Sequence, residues 1–257
     1  MRVKRFEGMC AVVTGAASGI GAAIATRLVA EGASVAGLDV AEGGLRHMEE
    51  ALGDSFTGVL ADVTVESDVA RAVEAAVERY GPLRLDFNVA GAARGALVLD
   101  LDETDWDFTV DLVQKGVFFC TKHSGRHMRE TGKPGAIVNV GSFNGRMPSF
   151  GGSAYSTAKA GVEMFSKNAA LELAQFGIRV NAVLPGLVDT PMSASLNSNI
   201  PMREAYLERI PMARAATPDE IAAACLFMAS ADASYITGTA LMVDGGWETS
   251  NFPRLAS

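Results

Sequence analysis

Eight residues near the start of the chain, Thr14-Gly15-Ala16-Ala17-Ser18-Gly19-Ile20-Gly21, limit its possible folds more than any other segment. They follow a short apolar run, Cys10–Val13. They lead into a stretch, Ile20 to Ala30, whose Ile24, Ala25 and Leu28 fall on one helical stripe, with Gly32 as the stop. An apolar run without polar alternation marks a strand covered on both faces, and a strand that turns through glycines into a helix opens a parallel α/β sheet. The alternation continues. Strands are predicted at Ser34–Leu38, Phe56–Ala61, Leu83–Val89, Ala136–Val140, Ile178–Leu184 and Thr239–Val243. Helices are predicted at Leu45–Leu52, Val65–Tyr80, Ala154–Gln175 and Glu220–Ala229, with one long or two abutting helices over Thr104–Met128. Gly81-Pro82, Pro185-Gly186 and Asp244-Gly245-Gly246 punctuate them. This predicts an α/β, doubly wound, seven-stranded parallel sheet with helices on both faces, Rossmann-like, as a single domain over residues 1–257. The polar, Met- and Pro-containing stretch 187–211 is expected to be a loop acting as a substrate lid.

Composition narrows the function. A formal charge of −8 argues against nucleic acid or a membrane surface as partner. Cys10, Cys120 and Cys225 lie far apart in apolar surroundings, as buried small hydrophobes in a reducing compartment do. No apolar stretch approaches the ~18 residues of a membrane span, so a cytoplasmic protein is expected.

Glycines between strand and helix let the backbone approach a pyrophosphate, and the helix N-terminus directs its N–H groups and positive dipole end at it. Gly15, Ser18, Gly19, Ile20 and Gly21 are therefore candidate cofactor contacts. Asp39 closes the second strand, where a carboxylate accepts hydrogen bonds from ribose hydroxyls and repels a 2′-phosphate. No Arg or Lys stands in the glycine turn or beside Asp39, so NAD is expected over NADP. Asp62-Val63, closing the third strand, is placed to reach an adenine ring. Tyr155 and Lys159 share one helical face at i, i+4, with Ser142 at a strand end upstream. A neighbouring ammonium is expected to lower the phenol pKa, making Tyr155 a general acid/base, with Ser142 holding the substrate oxygen.

With these motifs the chain resembles the short-chain dehydrogenase/reductase family in its compact, single-domain form, from Met9 to about Trp247. Asn88-Val89-Ala90-Gly91, Gly141-Ser142, Pro185-Gly186 with Thr190, and Val243-Asp244-Gly245-Gly246 carry the resemblance further. It implies cofactor contacts at Asn88, Ala90, Gly91, Pro185, Gly186, Val188 and Thr190, ribose binding by Tyr155 and Lys159, and a homotetramer. The activity it implies is hydride transfer between nicotinamide and an alcohol or carbonyl carbon, on a small-molecule substrate. Two positions depart from the pattern. Val89 replaces an asparagine, and Val113 falls where the family has a helix asparagine that holds a water linking the catalytic lysine to solvent. Val113 motivates a rival expectation, an NAD-binding sensor without turnover. An enoyl reductase of similar fold is disfavoured, because that group spaces its Tyr and Lys more widely.

On the substrate side Arg94, Asn144, Phe150 and Met192 are the candidates, with Arg94 or Arg146 available to a carboxylate. His123 and His127 at i, i+4 are expected on a solvated helix face, and no metal site is expected.

Overall fold

Alternate residues of the first apolar run face opposite sides of one sheet. Ala11 and Val13 pack with one buried cluster, Cys10 and Val12 with the other. The computed structural model describes residues 4–250, so the domain expected over 1–257 reaches beyond the described residues at both ends. Its elements begin with β1 (Cys10–Thr14), α1 (Gly19–Ala30), β2 (Ser34–Asp39), α2 (Glu42–Leu52), β3 (Phe56–Leu60), α3 (Glu66–Tyr80) and β4 (Leu83–Asn88). There follow α4 (Glu103–Val110), α5 (Gly116–Thr131), β5 (Gly135–Val140), α6 (Ser153–Leu173) and β6 (Ile178–Pro185). The chain closes with α7 (Ala194–Ser198), α8 (Ile200–Leu207), α9 (Pro218–Ala229) and β7 (Ala240–Val243). The strands form one seven-stranded sheet in the order β3-β2-β1-β4-β5-β6-β7, with every neighbouring pair parallel. The chain is thus a single Rossmann-like domain. The order reverses between β1 and β4, and that switch point opens a crevice at the carboxyl ends of the strands.

On one face α1 buries Ile24, Ala25 and Leu28 beside Ile221, Ala222 and Leu226 of α9. On the other, Ala72 and Val73 of α3, Met128 of α5 and Ala169 of α6 cover the sheet. Cys10, Cys120 and Cys225 are all free and buried.

Several expected boundaries shift. α2 begins at Glu42 rather than Leu45, although Gly43 and Gly44 suggest a turn. A Cβ at Gly44 would press to 2.6 Å from that of Ala17, so this glycine serves close approach of α2 to the first glycine turn. The stretch 104–128 is one unbroken helical run in which residues Asp111–Lys115 form a wider π turn between α4 and α5. Such a turn inserts a residue into the helix and is frequent at functional sites. Residues 187–211 are not a loop. They carry a 3₁₀ turn (Pro191–Ser193), α7 and α8, and a parallel bridge between Val188 and Ala216 holds their base. Thr190 caps the turn reciprocally with Ser193, a signal spread over too few residues to read as periodicity.

His123 does not lie on a solvated face. Its Nε2 is 3.0 Å from Glu66, which also takes the Lys122 ammonium. Among the described residues no cluster of three His, Cys, Asp or Glu side chains has the arrangement of a metal site. Likewise no helix among them is long and apolar enough to cross a membrane.

Arg179 supplies the clearest single stabilising contact outside the crevice. Its guanidinium donates to the carbonyls of Met228, Ala229, Ser230 and Ile236 at 2.7 to 3.1 Å, closing the C-terminal end of α9. Cations favour helix C-termini, and buried carbonyls left unpaired are costly. Arg179→Ala is expected to lower stability by about 2–3 kcal/mol, which corresponds to a melting point lower by about 4–12 °C. Calorimetry checks this, and a melting point within about 1 °C of the parent would remove the cap from the account.

Candidate active site

Backbone geometry shapes the crevice at the switch point. Gly15 and Gly19 sit at φ of +66° and +54°, which side chains rarely adopt. A Cβ at Gly21 would collide with the Gly15 carbonyl oxygen, so the first turn of α1 closes tightly over the glycine segment. Thr14, which opens the motif but was given no role there, ties the two central strands together. Its Oγ1 accepts from the N–H groups of Val89 and Ala90 at 2.9 and 3.0 Å. This holds the turn after β4 against the turn after β1, and a Cβ at Gly15 would lie only 3.1 Å from Ala90.

The resulting cleft is about 400 Å³ and is lined at one end by Gly15, Ser18, Gly19, Ile20 and Gly21. Asp39, Asp62, Val63, Ala90 and Gly91 line it too, and Thr190 and Met192 join the wall, Thr190 Cγ2 lying 3.4 Å from the Gly19 Cβ position. Leu38, Val40, Ala61, Val89, Ala92, Leu112 and Pro191 also line it. The sequence reading missed these because each is an ordinary apolar residue that only the fold brings to the wall. The Asp39 carboxylate accepts from the Ala17 N–H at 3.0 Å with Oδ2 and from the Ala41 N–H at 2.9 Å with Oδ1. Each oxygen keeps a further lone pair for a donor in the cleft. Asp62 Oδ1 accepts from the Thr64 N–H and hydroxyl at 2.9 and 2.8 Å. A glycine turn at a helix N-terminus, with a carboxylate at the second strand end, has the shape and donor set for a dinucleotide. The residues present fit that group.

Other expected contacts do not line the cleft. The Asn88 side chain lies buried between sheet and helices, where Nδ2 donates to Asn139 Oδ1 at 2.8 Å, within reach of Asp86 and Thr121. Its alternation in β4 directs it there, whereas Ala90 and Gly91, beyond the strand end, reach the crevice. Burial pushes the Asp86 carboxyl up to about 7 beside this network. Gly186 packs on Asp244, where a Cβ would approach to 2.8 Å, and Val188 is buried at the bridge to Ala216. Pro185 ends β6 as a buried residue.

Ser142, Tyr155 and Lys159 converge beside the cleft. Lys159 reaches the wall through Gly91, whose Cβ position would be 3.9 Å from its Nζ. The lysine is buried, and Nζ donates to the Val140 carbonyl at 2.7 Å. Ser142 caps the turn Phe143–Gly145, its Oγ accepting from the Asn144 N–H at 3.1 Å. Ser142 also lies beside Tyr155 and favours the ionised phenol.

The expected lowering of the phenol pKa is not what this arrangement produces. Burial holds the Tyr155 phenol above its ordinary value, and the neighbouring Ser142 hydroxyl offsets part of that rise. Burial pushes the Lys159 ammonium down to about 8. Lys159 Nζ stands 5.6 Å from the centre of the Tyr155 ring and spends its hydrogen bond on Val140, so desolvation outweighs pairing. Val113 belongs to the same dry environment. It is fully buried with Val117, Ala158 and Val162, and its methyl lies as close to the Gly91 Cβ position as Lys159 Nζ does, at 3.9 Å.

The substrate-side candidates scatter. Arg94 is engaged by Asp105 at 3.0 Å and by the Phe108 ring at 4.0 Å. Arg146 is paired with Glu163 and Glu248. Phe150 is fully exposed and lines a separate cleft with Leu97, Val98 and Leu99. Asn144 stays at the Ser142 turn, and Met192 on the cleft wall.

Comparison with known proteins bears on this geometry. A family model described as enoyl-(acyl carrier protein) reductase matches residues 15–248. A cis-4-hydroxycyclohexanecarboxylate dehydrogenase of Sinomonas cyclohexanicum is 43% identical over 246 residues, covering 94% of this chain and 97% of its own. A 3-oxoacyl-(acyl-carrier-protein) reductase of Vibrio cholerae is 38% identical over 240 residues, covering 93% and 97%. The crystal structure of gox2181 superposes with a TM-score of 0.91 at 31% identity, covering 96% of this chain and 98% of that one.

Proposed function

The chain belongs to the short-chain dehydrogenase/reductase family and is an oxidoreductase of that type, and from that premise we propose that it moves hydride between NAD(H) and a secondary alcohol or ketone. The observation that carries this reading is that Lys159, whose Nζ stands 5.6 Å from the Tyr155 ring centre, reaches to 3.9 Å from the Cβ position of Gly91 on the wall of a glycine-lined cleft, with Ser142 beside Tyr155.

The chain's own groups divide the work. The glycine turn and the N–H groups at the start of α1 bind the pyrophosphate. Asp39 takes the adenosine ribose hydroxyls and disfavours a 2′-phosphate, which is the basis for NAD over NADP. Asp62 and Val63 flank the adenine, and Thr190 and Pro191 close over the glycine turn. When bound, the dinucleotide supplies the hydride acceptor or donor. The Tyr155 hydroxyl exchanges a proton with the substrate oxygen, and Ser142 holds that oxygen by a hydrogen bond. Lys159 places a positive charge beside the Tyr155 ring and opposes the negative charge that grows on the phenol oxygen. Residues 187–211 serve as the lid. The site residues, the lid and the NAD preference form one reading with function in the cytoplasm. Exposed Phe118, Met164 and Leu171 on α5 and α6 support a homotetramer.

A second reading, a dinucleotide-binding sensor without turnover, has one observation in its favour: a valine methyl faces the same Gly91 wall as Lys159, where the family pattern has a hydrogen-bonding asparagine. One experiment separates the two. Absorbance at 340 nm is followed with NAD and secondary alcohols, cis-4-hydroxycyclohexanecarboxylate first, and with NADH and the matching ketones, alongside NADH binding by fluorescence. Turnover of any compound supports the oxidoreductase reading. NADH binding with no turnover across the panel overturns it in favour of the sensor.

A further inference from the structure

The Ser142 turn is joined to the far end of the chain by aromatic contacts that the chemistry above does not use. Phe143, the residue after Ser142, is buried and stacks on Trp247 with ring centres 4.3 Å apart and planes within 15°. Tyr206 of α8 meets the same indole edge-on at 5.5 Å. Polar contacts fix the indole's segment from both sides. Arg146 bridges Glu163 of α6 and Glu248 beside Trp247, and the Asp244 carboxylate accepts from the N–H groups of Gly246 and Glu248. The foot of the α8 segment rests there too. Met212 N–H donates to the Gly245 carbonyl at 3.1 Å, and Pro211 packs against Gly246. The opposite foot leans on the glycine turn, since Thr190 Cγ2 lies 3.4 Å from the Gly19 Cβ position.

Offset-stacked and edge-on pairs of this kind each add to simple burial and favour one geometry. Trp247 thus touches both the residue next to Ser142 and α8. We propose that Trp247 is a positioning residue that latches α8 onto the Ser142 turn, so that closure of residues 187–211 over a substrate and the placement of the Ser142 hydroxyl are one event. The proposal deepens the oxidoreductase reading and rests on it for its kinetic part alone.

The test uses the full-length protein with Trp247→Ala, Trp247→Phe and Tyr206→Ala. Trypsin cleavage after Arg203 and Arg209 reports opening of the α8 segment without any turnover. Cleavage is expected to rise about tenfold in Trp247→Ala and Tyr206→Ala and to stay within about twofold of the parent in Trp247→Phe, which keeps the ring contacts. On an active substrate, KM for the alcohol is expected to rise about tenfold in the two alanine variants with NADH affinity within about twofold of the parent, because Trp247 and Tyr206 do not line the dinucleotide cleft and the lid meets that cleft at its opposite foot, Thr190–Met192. A general loss of stability would instead weaken both ligands together and would not be rescued by phenylalanine. If Trp247→Ala does not fold, Tyr206→Ala decides alone. Parental cleavage rates in the alanine variants overturn the latch whatever the enzyme turns over. Raised cleavage with no turnover of any compound leaves the latch standing and removes the oxidoreductase reading instead.

Discussion

Replacing Tyr155 with phenylalanine is expected to lower kcat by about 10³–10⁴-fold while NADH affinity stays within about twofold. The substitution removes one oxygen and keeps the ring, which packs with Val113, Val117, Ala158 and Val162. The Lys159 ammonium keeps its hydrogen bond to Val140 and its approach to the ring face. Ser142 keeps the Asn144 N–H. What is lost is the hydroxyl proposed to exchange a proton with the substrate oxygen. Single-turnover absorbance at 340 nm with a parallel fluorescence titration of NADH makes the measurement. Activity within tenfold of the parent would take the proton-transfer role away from Tyr155.

The second large effect belongs to Asp39. Its carboxylate joins the glycine turn to the start of α2 by accepting from Ala17 and Ala41, so it shapes the cleft as well as facing into it. Hydrogen bonds to a charged acceptor contribute about 1.5–3 kcal/mol each. Asp39→Ala leaves both N–H groups without their acceptor and removes the proposed ribose contact. It is expected to lower kcat/KM for NAD by about 10²-fold, with a smaller loss for NADP because the repulsion of a 2′-phosphate goes too. Asp39→Asn retains one acceptor oxygen in the same shape and is expected to fall between. Initial rates with both dinucleotides give the ratio. An unchanged NAD-to-NADP preference in Asp39→Ala would place cofactor choice elsewhere in the cleft.

The glycine turn, the strand-end carboxylate and the Tyr155–Lys159 pair were legible because each depends on residues within a few positions of one another. Their spacing alone brings them to one turn or one helix face. The line of chain at 187–211 was less legible, since α7 and α8 are too short to impose a period and their caps lie inside the segment. Asn88 was read by its place in a motif, yet strand alternation directs its side chain into the buried network with Asn139 and not into the cleft.

The order of strands and helices, the turn at Gly15–Gly21 and the candidate proton-transfer pair are therefore properties of the linear chain, set by periodicity and backbone freedom. The environment of that pair is not. Burial holds the phenol up and the ammonium down, a valine methyl faces the same Gly91 wall as the lysine, and an indole from the last strand's far end stacks beside the serine turn. Desolvation and ring stacking depend on which distant residues exclude water from a site, and only the closed sheet with its helices decides that.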